Sequence, residues 1–166
     1  MDTRIEGFKK YQRGLAAVEM TLVLPVLLLL FLTTAEVGRM LYQYNTLTKA
    51  QRDGIRLLAT HLNYGQQADL NTCPEMGGEL PYELMSRASN LVVFGTEFGA
   101  DEALLDGLTL EDVSFCRVPD SQEIQVQVQY DFTPMMFDQL PTFGTGDPVP
   151  INFPLNSSIS MKVLGG

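Results

Sequence analysis

The sequence predicts an α+β protein in which a long N-terminal transmembrane helix continues into a small extracytoplasmic domain with an antiparallel β-sheet. Three observations carry that expectation. An apolar run from Leu15 to Ala35 holds one charge, Glu19; apolar residues then recur at helical spacing to about Leu62; and the last third of the chain contains strict apolar–polar alternation. The 166 residues allow one anchor and one small domain, not two sizeable cores.

The apolar run sets the rest. Its 21 residues make about 31 Å of helix at ~1.5 Å per residue, which matches a hydrocarbon core of about 30 Å. A soluble helix would show a polar face, and none exists between Leu22 and Leu32. Before the run, Arg4, Lys9, Lys10 and Arg13 outnumber Asp2 and Glu6; after Leu57, only Arg87, Arg117 and Lys162 stand against fifteen acids. Bases beside a span stay cytoplasmic, so the N-terminus is expected inside and the C-terminal domain outside. The chain is thus expected to cross a membrane once, with the domain on the far side.

Glu19 needs a reason. A carboxylate in an apolar span costs about 2.5–3.5 kcal/mol at mid-membrane and less near an interface. Near the cytoplasmic edge it can reach headgroup water, which is the plain reading. Gly14, however, lies five residues before it, between the basic segment and the apolar run.

The order Gly14, then Leu15-Ala16-Ala17-Val18-Glu19, resembles a type IV prepilin processing site. That resemblance implies a prepilin peptidase that cuts after Gly14 and leaves Glu19 as the fifth mature residue. Cleavage would create an amine on Leu15, and in a bundle of such helices the Glu19 carboxylate of one subunit can pair with the Leu15 ammonium of the next. A pair in low dielectric costs much less than either charge alone. Further along, Ala17-Val18-Glu19, Leu24-Pro25, Glu36-Val37-Gly38-Arg39 and Arg52-Asp53-Gly54-Ile55-Arg56 follow in order. Together they resemble the TadE-like family of minor pilins, or pseudopilins, of tight-adherence pilus systems, over about residues 14–60. Met20 departs from the aromatic residue that major Flp-type pilins carry there, which favours a minor component. The implied partners are the peptidase, other pilins through the N-terminal helix, an inner-membrane assembly platform and the lipid bilayer. The implied role is in pilus assembly, adhesion or biofilm formation, with the protein built into an extracellular pilus or held in the membrane.

Residues 1–14 are therefore expected to be a cytoplasmic leader, 15–37 the transmembrane helix, 38–62 its extension and 63–166 the extracytoplasmic domain. Two other readings of the N-terminal part exist. An uncut tail would make the chain a single-pass, anchored binding or sensor module. A secretory signal ending at Thr33-Thr34-Ala35 fits less well, because the run is long and helical spacing continues past it. Pro25 removes one backbone donor and crowds the Thr21 carbonyl, which favours a helix kink.

Leu41, Tyr44, Leu47, Ile55, Leu58, Ala59 and Leu62 are expected to form the buried face of the extension, with a break possible at Gly54. His61 ends the helix, and a lone histidine reads as a surface residue. A turn-rich connection (63–78) follows, and Pro81 suits the first turn of a second helix reaching about Phe94. Asp101 and Gly107 would cap a short helical turn. Asp101, Glu102 and Asp106 could alternatively hold Ca²⁺, although they lack an EF-hand order.

Ile124, Val126, Val128, Tyr130 and Phe132 alternate with Gln125, Gln127, Gln129 and Asp131. That is a half-buried antiparallel strand, entered from a turn at Pro119-Asp120-Ser121. A Pro- and Gly-rich loop from Pro134 to Pro150 is a candidate contact region. The alternating runs after it, from Ile151 to Val163, should close the sheet as an edge strand. Cys73 and Cys116 both fall on the outer, oxidising side, so a disulfide is expected. Two cysteines and one distant histidine fall short of a metal site, and no cofactor is implied.

Nothing in the sequence points to an enzyme. No histidine follows His61, there is no Gly-x-Ser-x-Gly elbow, and the 142–146 glycine loop lacks the lysine of a phosphate loop. An acidic outer domain would repel nucleic acid.

Overall fold

The computed structural model describes residues 3–75, 77–78, 82–135, 139–140, 147, 149–150 and 153–164. Pro81, Ile151 and the 142–146 loop lie outside them. The protein is α+β and divides into two compact units, Met1–Arg39 and Met40–Gly166. Helix α1 (Thr3–His61) is followed by a single turn α2 (Tyr64–Gln67), α3 (Tyr82–Phe94), a 3-10 turn (Leu110–Asp112), and strands β1 (Val113–Arg117), β2 (Glu123–Phe132), β3 (Gln139–Leu140), β4 (Val149–Pro150) and β5 (Phe153–Lys162).

The sheet of the second unit has the order β1-β2-β5, antiparallel throughout. The strict alternation in β2 selects its register: Ile124, Val126, Val128, Tyr130 and Phe132 are buried, while Gln129 and Asp131 face water. A one-residue slip would turn that whole row outward. The β1–β2 connection turns at Asp120, whose φ of 53° a short polar side chain tolerates. The Ser121 hydroxyl donates to the Val118 carbonyl at 3.2 Å and accepts from the Glu123 amide at 3.2 Å. As expected, β5 lies at a sheet edge.

The other edge, β1, is covered. The Cys73 amide donates to the Arg117 carbonyl, the Gly77 amide to the Phe115 carbonyl, and the Arg117 amide to the Asn71 carbonyl. Cys73 and Cys116 are disulfide-bonded, which pins this connection along the strand. Covering an edge in this way removes a template for unwanted strand pairing.

One core joins the sheet, α3 and the part of α1 that belongs to the second unit. Leu47, Ile55, Leu58 and Ala59 from α1, with Leu62 just past its end, meet Ala88, Val92 and Val93 from α3 and the inner row of the sheet. Gln51, fully buried, donates from Nε2 to the Ser157 carbonyl at 3.1 Å and accepts from the Ser157 hydroxyl at 2.8 Å. The Leu164 amide donates to the Ala59 carbonyl at 2.9 Å, so the end of the chain is also tied to α1.

Four expectations change. The buried face of the extension is Gln43, Leu47, Ala50, Gln51, Ile55, Leu58 and Ala59, whereas Leu41 and Tyr44 are exposed. At about 100° per residue, Leu41 lies roughly 120° around the helix from Leu47, too far for one stripe. The helix does not break at Gly54: a Cβ there would fall 2.5 Å from Val92 Cγ2 and 2.9 Å from the Ala88 carbonyl oxygen, so the glycine admits α3 against α1. Residues 101–107 form bends and a turn, not a helical turn, with Gly107 at a φ of 83°. Their backbone is held by tertiary bonds instead: the Leu104 amide donates to the Val93 carbonyl and the Tyr130 hydroxyl to the Asp106 carbonyl. Finally, the loop after β2 contains a short β3–β4 pairing, Gln139↔Pro150 and Leu140↔Val149.

Candidate functional site

The candidate site is the apolar part of α1 and its single carboxylate. Gly14, Leu15, Glu19 and Pro25 all lie on this helix. Leu22 is 72% exposed and Phe31 68%, and Val18, Met20, Leu24, Val26, Leu27, Leu28 and Leu30 are exposed with them. Leucine, valine and phenylalanine bared around a full helix circumference would be strongly unfavourable in water, so the segment calls for an apolar surround. Among the described residues there is one helix long and apolar enough to cross a membrane, with a mean hydropathy of 2.1 in its most apolar stretch.

Inside such a surround every polar group needs a partner. The hydroxyls of Thr21, Thr33 and Thr34 find theirs within the helix, donating to the carbonyls of Ala17, Leu29 and Leu30 at 2.8, 2.7 and 2.6 Å. At the far end Glu36 and Arg39 pair at 3.5 Å, three residues apart on one helix face. Pro25 has no N–H to offer the Thr21 carbonyl, and the Thr21 hydroxyl is already committed one turn earlier. Among the described residues no base pairs with Glu19, which is exposed on the apolar helix. Glu19 is thus the one ionisable group in this stretch that the described chain leaves uncompensated.

The motif residues separate by what the fold asks of them. Gly54 is demanded by helix–helix contact, since a Cβ there would fall 2.5 Å from Val92 Cγ2. Nothing lies within 4 Å of the position a Cβ would take at Gly38, so the chain's own packing does not require glycine there.

Cys73 and Cys116 are brought together as expected, far from the apolar segment in sequence. Among the described residues no three His, Cys, Asp or Glu side chains come together in a way that could hold a metal ion, so Asp101, Glu102 and Asp106 form no Ca²⁺ site there. The exposed His61 caps the end of α1 locally, with Nδ1 at 2.9 Å from the Leu57 carbonyl.

The Gln51–Ser157 pair was not foreseen. Its signal was present, because Gln51 falls four residues after Leu47 and four before Ile55, inside the apolar stripe. A polar residue at such a position is buried with a partner or disrupts the stripe. Only the fold names the partner, 106 residues away.

Residues 14–56 match the model of a family described as TadE-like protein. The match begins at the glycine of the processing-site resemblance and ends in the helix extension, so it covers the whole apolar segment and its exit. The family is the one that the ordered motifs resemble. No curated protein and no solved structure matches the chain.

Proposed function

We propose that this chain, matched to TadE-like proteins over residues 14–56, is a processed minor pilin of a tight-adherence pilus. In this reading residues 1–14 are a cytoplasmic leader, 15–37 cross the inner membrane, 38–62 extend the helix outward, and 63–166 form the periplasmic domain. A prepilin peptidase cuts between Gly14 and Leu15, and the product enters, primes or caps the fibre alongside other pilins and the assembly platform.

The observation that carries the proposal is an apolar helix with one uncompensated carboxylate, Glu19, five residues after Gly14. Solvation at a membrane edge would make Glu19 tolerable and nothing more. Pairing with a neighbour's Leu15 ammonium accounts for both its type and its distance from the glycine. Such a pair fixes axial register between helices, as a single polar residue does in a coiled coil. Arg39, Lys49, Arg52 and Arg56 follow the span, so bases alone do not settle orientation. The position of the leader at the processing-site resemblance supports a cytoplasmic N-terminus.

Two measurements test the proposal. Intact mass of the protein extracted from membranes of its host should place the N-terminus at Leu15; a mass that begins at Met1 makes it an uncut, anchored module. Glu19→Ala should insert and be cut yet fail to enter an assembly. Normal incorporation of that variant removes the role assigned to the carboxylate.

A further inference from the structure

The segment after α3 presents an apolar side chain on a braced backbone turn. Residues 95–104 close on themselves. At one end Gly95 and at the other Leu104 meet, the Leu104 side chain lying 3.2 Å from where a Gly95 Cβ would be, and the Leu104 amide donates to the Val93 carbonyl at 2.7 Å. Within this closed loop a tight turn runs from Thr96 to Gly99. Its ends are joined by the Gly99 amide, which donates to the Thr96 carbonyl, and by the Thr96 hydroxyl, which donates to the Gly99 carbonyl at 3.0 Å. Helix α3 braces the middle: Arg87 Nε donates to Glu97 Oε2 at 2.9 Å, and Asn90 Nδ2 donates to the Glu97 carbonyl at 3.2 Å. Gly95 and Gly99 supply the positive φ values of 74° and 80° that the path needs.

At the tip of this braced turn stands Phe98, 91% exposed. A phenyl ring in water contributes nothing to the fold, and turn positions favour Gly, Asn, Asp, Ser or Pro on local grounds. Single exposed apolar residues are common on protein surfaces. Phe98 differs from those in standing on a turn whose preceding residue, Glu97, is tied to two side chains of α3, and in sharing its closed loop with Leu104, also exposed. A backbone already ordered around an aromatic side chain lowers the cost of binding through it, a form of pre-organisation.

The surrounding charge says what it can bind. Asp101 and Glu102 are exposed on the same closed loop, and Asp106 and Glu111 are exposed just beyond it. No Lys or Arg occurs between Arg87 and Arg117, and Arg87 is engaged with Glu97. An anionic lipid surface would be repelled. The part of a second copy beyond Leu57 offers a poor fit, since it carries three bases and fifteen acids. We infer that the Phe98 turn is a docking finger for a protein partner whose apolar pocket is rimmed by Lys and Arg.

Complementary charge speeds such an encounter and makes it sensitive to salt, while the buried phenyl sets how long it lasts. The inference does not depend on cleavage after Gly14, because it concerns the domain alone.

The test is a photo-reactive benzoylphenylalanine at position 98 of the full-length chain, expressed in membranes of its host, with the same group at Gln122 as comparator. The expected result is a protein adduct from position 98 and none from position 122, with the cross-linked peptide mapping to an apolar pocket flanked by Lys or Arg. Asp101→Lys with Glu102→Lys, shown by thermal melting to leave the domain folded, should lower the adduct yield by about tenfold or more, the scale of electrostatic steering. The inference is overturned by an adduct to lipid, to a second copy or to an acidic surface. Equal adducts from both positions, no adduct at position 98, or a yield unmoved by the charge reversal overturn it too.

Discussion

Gly54→Ala separates local propensity from tertiary packing in one substitution. In an isolated helix the change would help, because alanine is favoured over glycine by about 1 kcal/mol in a helix interior. Here the new methyl group would lie 2.5 Å from Val92 Cγ2 and 2.9 Å from the Ala88 carbonyl oxygen. Carbon atoms rest about 3.5–4.0 Å apart, so one helix must retreat by roughly 1 Å. Val92 cannot turn aside cheaply, since a β-branched side chain in a helix has one strongly preferred rotamer and Val92 is fully buried. Overpacking of this kind costs about 1–3 kcal/mol. Set against the propensity gain, the net expectation is a loss of up to about 2 kcal/mol. For the Met40–Gly166 unit that corresponds to a fall in Tm of up to roughly 8 °C. Thermal unfolding of the full chain in detergent, followed by circular dichroism, measures it. Two comparisons sharpen the reading. Gly38→Ala, with open space at its Cβ position, should be neutral or stabilising, and Gly54→Ala should cost less in a Val92→Ala background. A Gly54→Ala variant that melts higher than the wild type refutes the close-approach account.

Two further predictions concern ties that hold the domain together. Gln51→Leu leaves the buried Ser157 hydroxyl without its acceptor and should cost about 1–3 kcal/mol in urea unfolding, with Gln51→Leu/Ser157→Ala recovering much of that loss; a double variant as unstable as the single would contradict the pairing. Loss of the disulfide, by Cys73→Ser with Cys116→Ser, releases a loop closed over a sequence separation of 43 residues. The chain-entropy model sets an upper figure of about 4 kcal/mol for that loss. Amide exchange should then quicken at Cys73→Ser, Gly77 and Arg117, whose N–H groups hold the connection to the β1 edge, and unchanged exchange would show that backbone bonds alone keep it in place.

How much of this protein could be read in advance depends on whether a feature is periodic or paired. The apolar span, the alternation of β2 and the edge position of β5 are repeated patterns. Each residue in them adds to the same free-energy bias, so the pattern survives any single exception. The candidate site was legible for the same reason, since Gly14, Glu19 and Pro25 are marked by standing out against a uniform apolar background. The Cys73–Cys116 bridge was legible because only two cysteines exist.

What the sequence by itself determined, then, was the class of fold, the long apolar helix and its odd carboxylate, and strands β2 and β5 of the main sheet. Tertiary structure alone decided which face of the extension is buried, because Gln43 and Gln51 lie inside and Leu41 outside according to what packs on α1. It also decided that residues 101–107 give up a helical turn for bonds to Val93 and Tyr130, and that Gly54 is a contact and not a break. In each case the deciding partner lies elsewhere in the chain, and a local propensity of about 1 kcal/mol yields to a packing or hydrogen-bond term of equal or larger size.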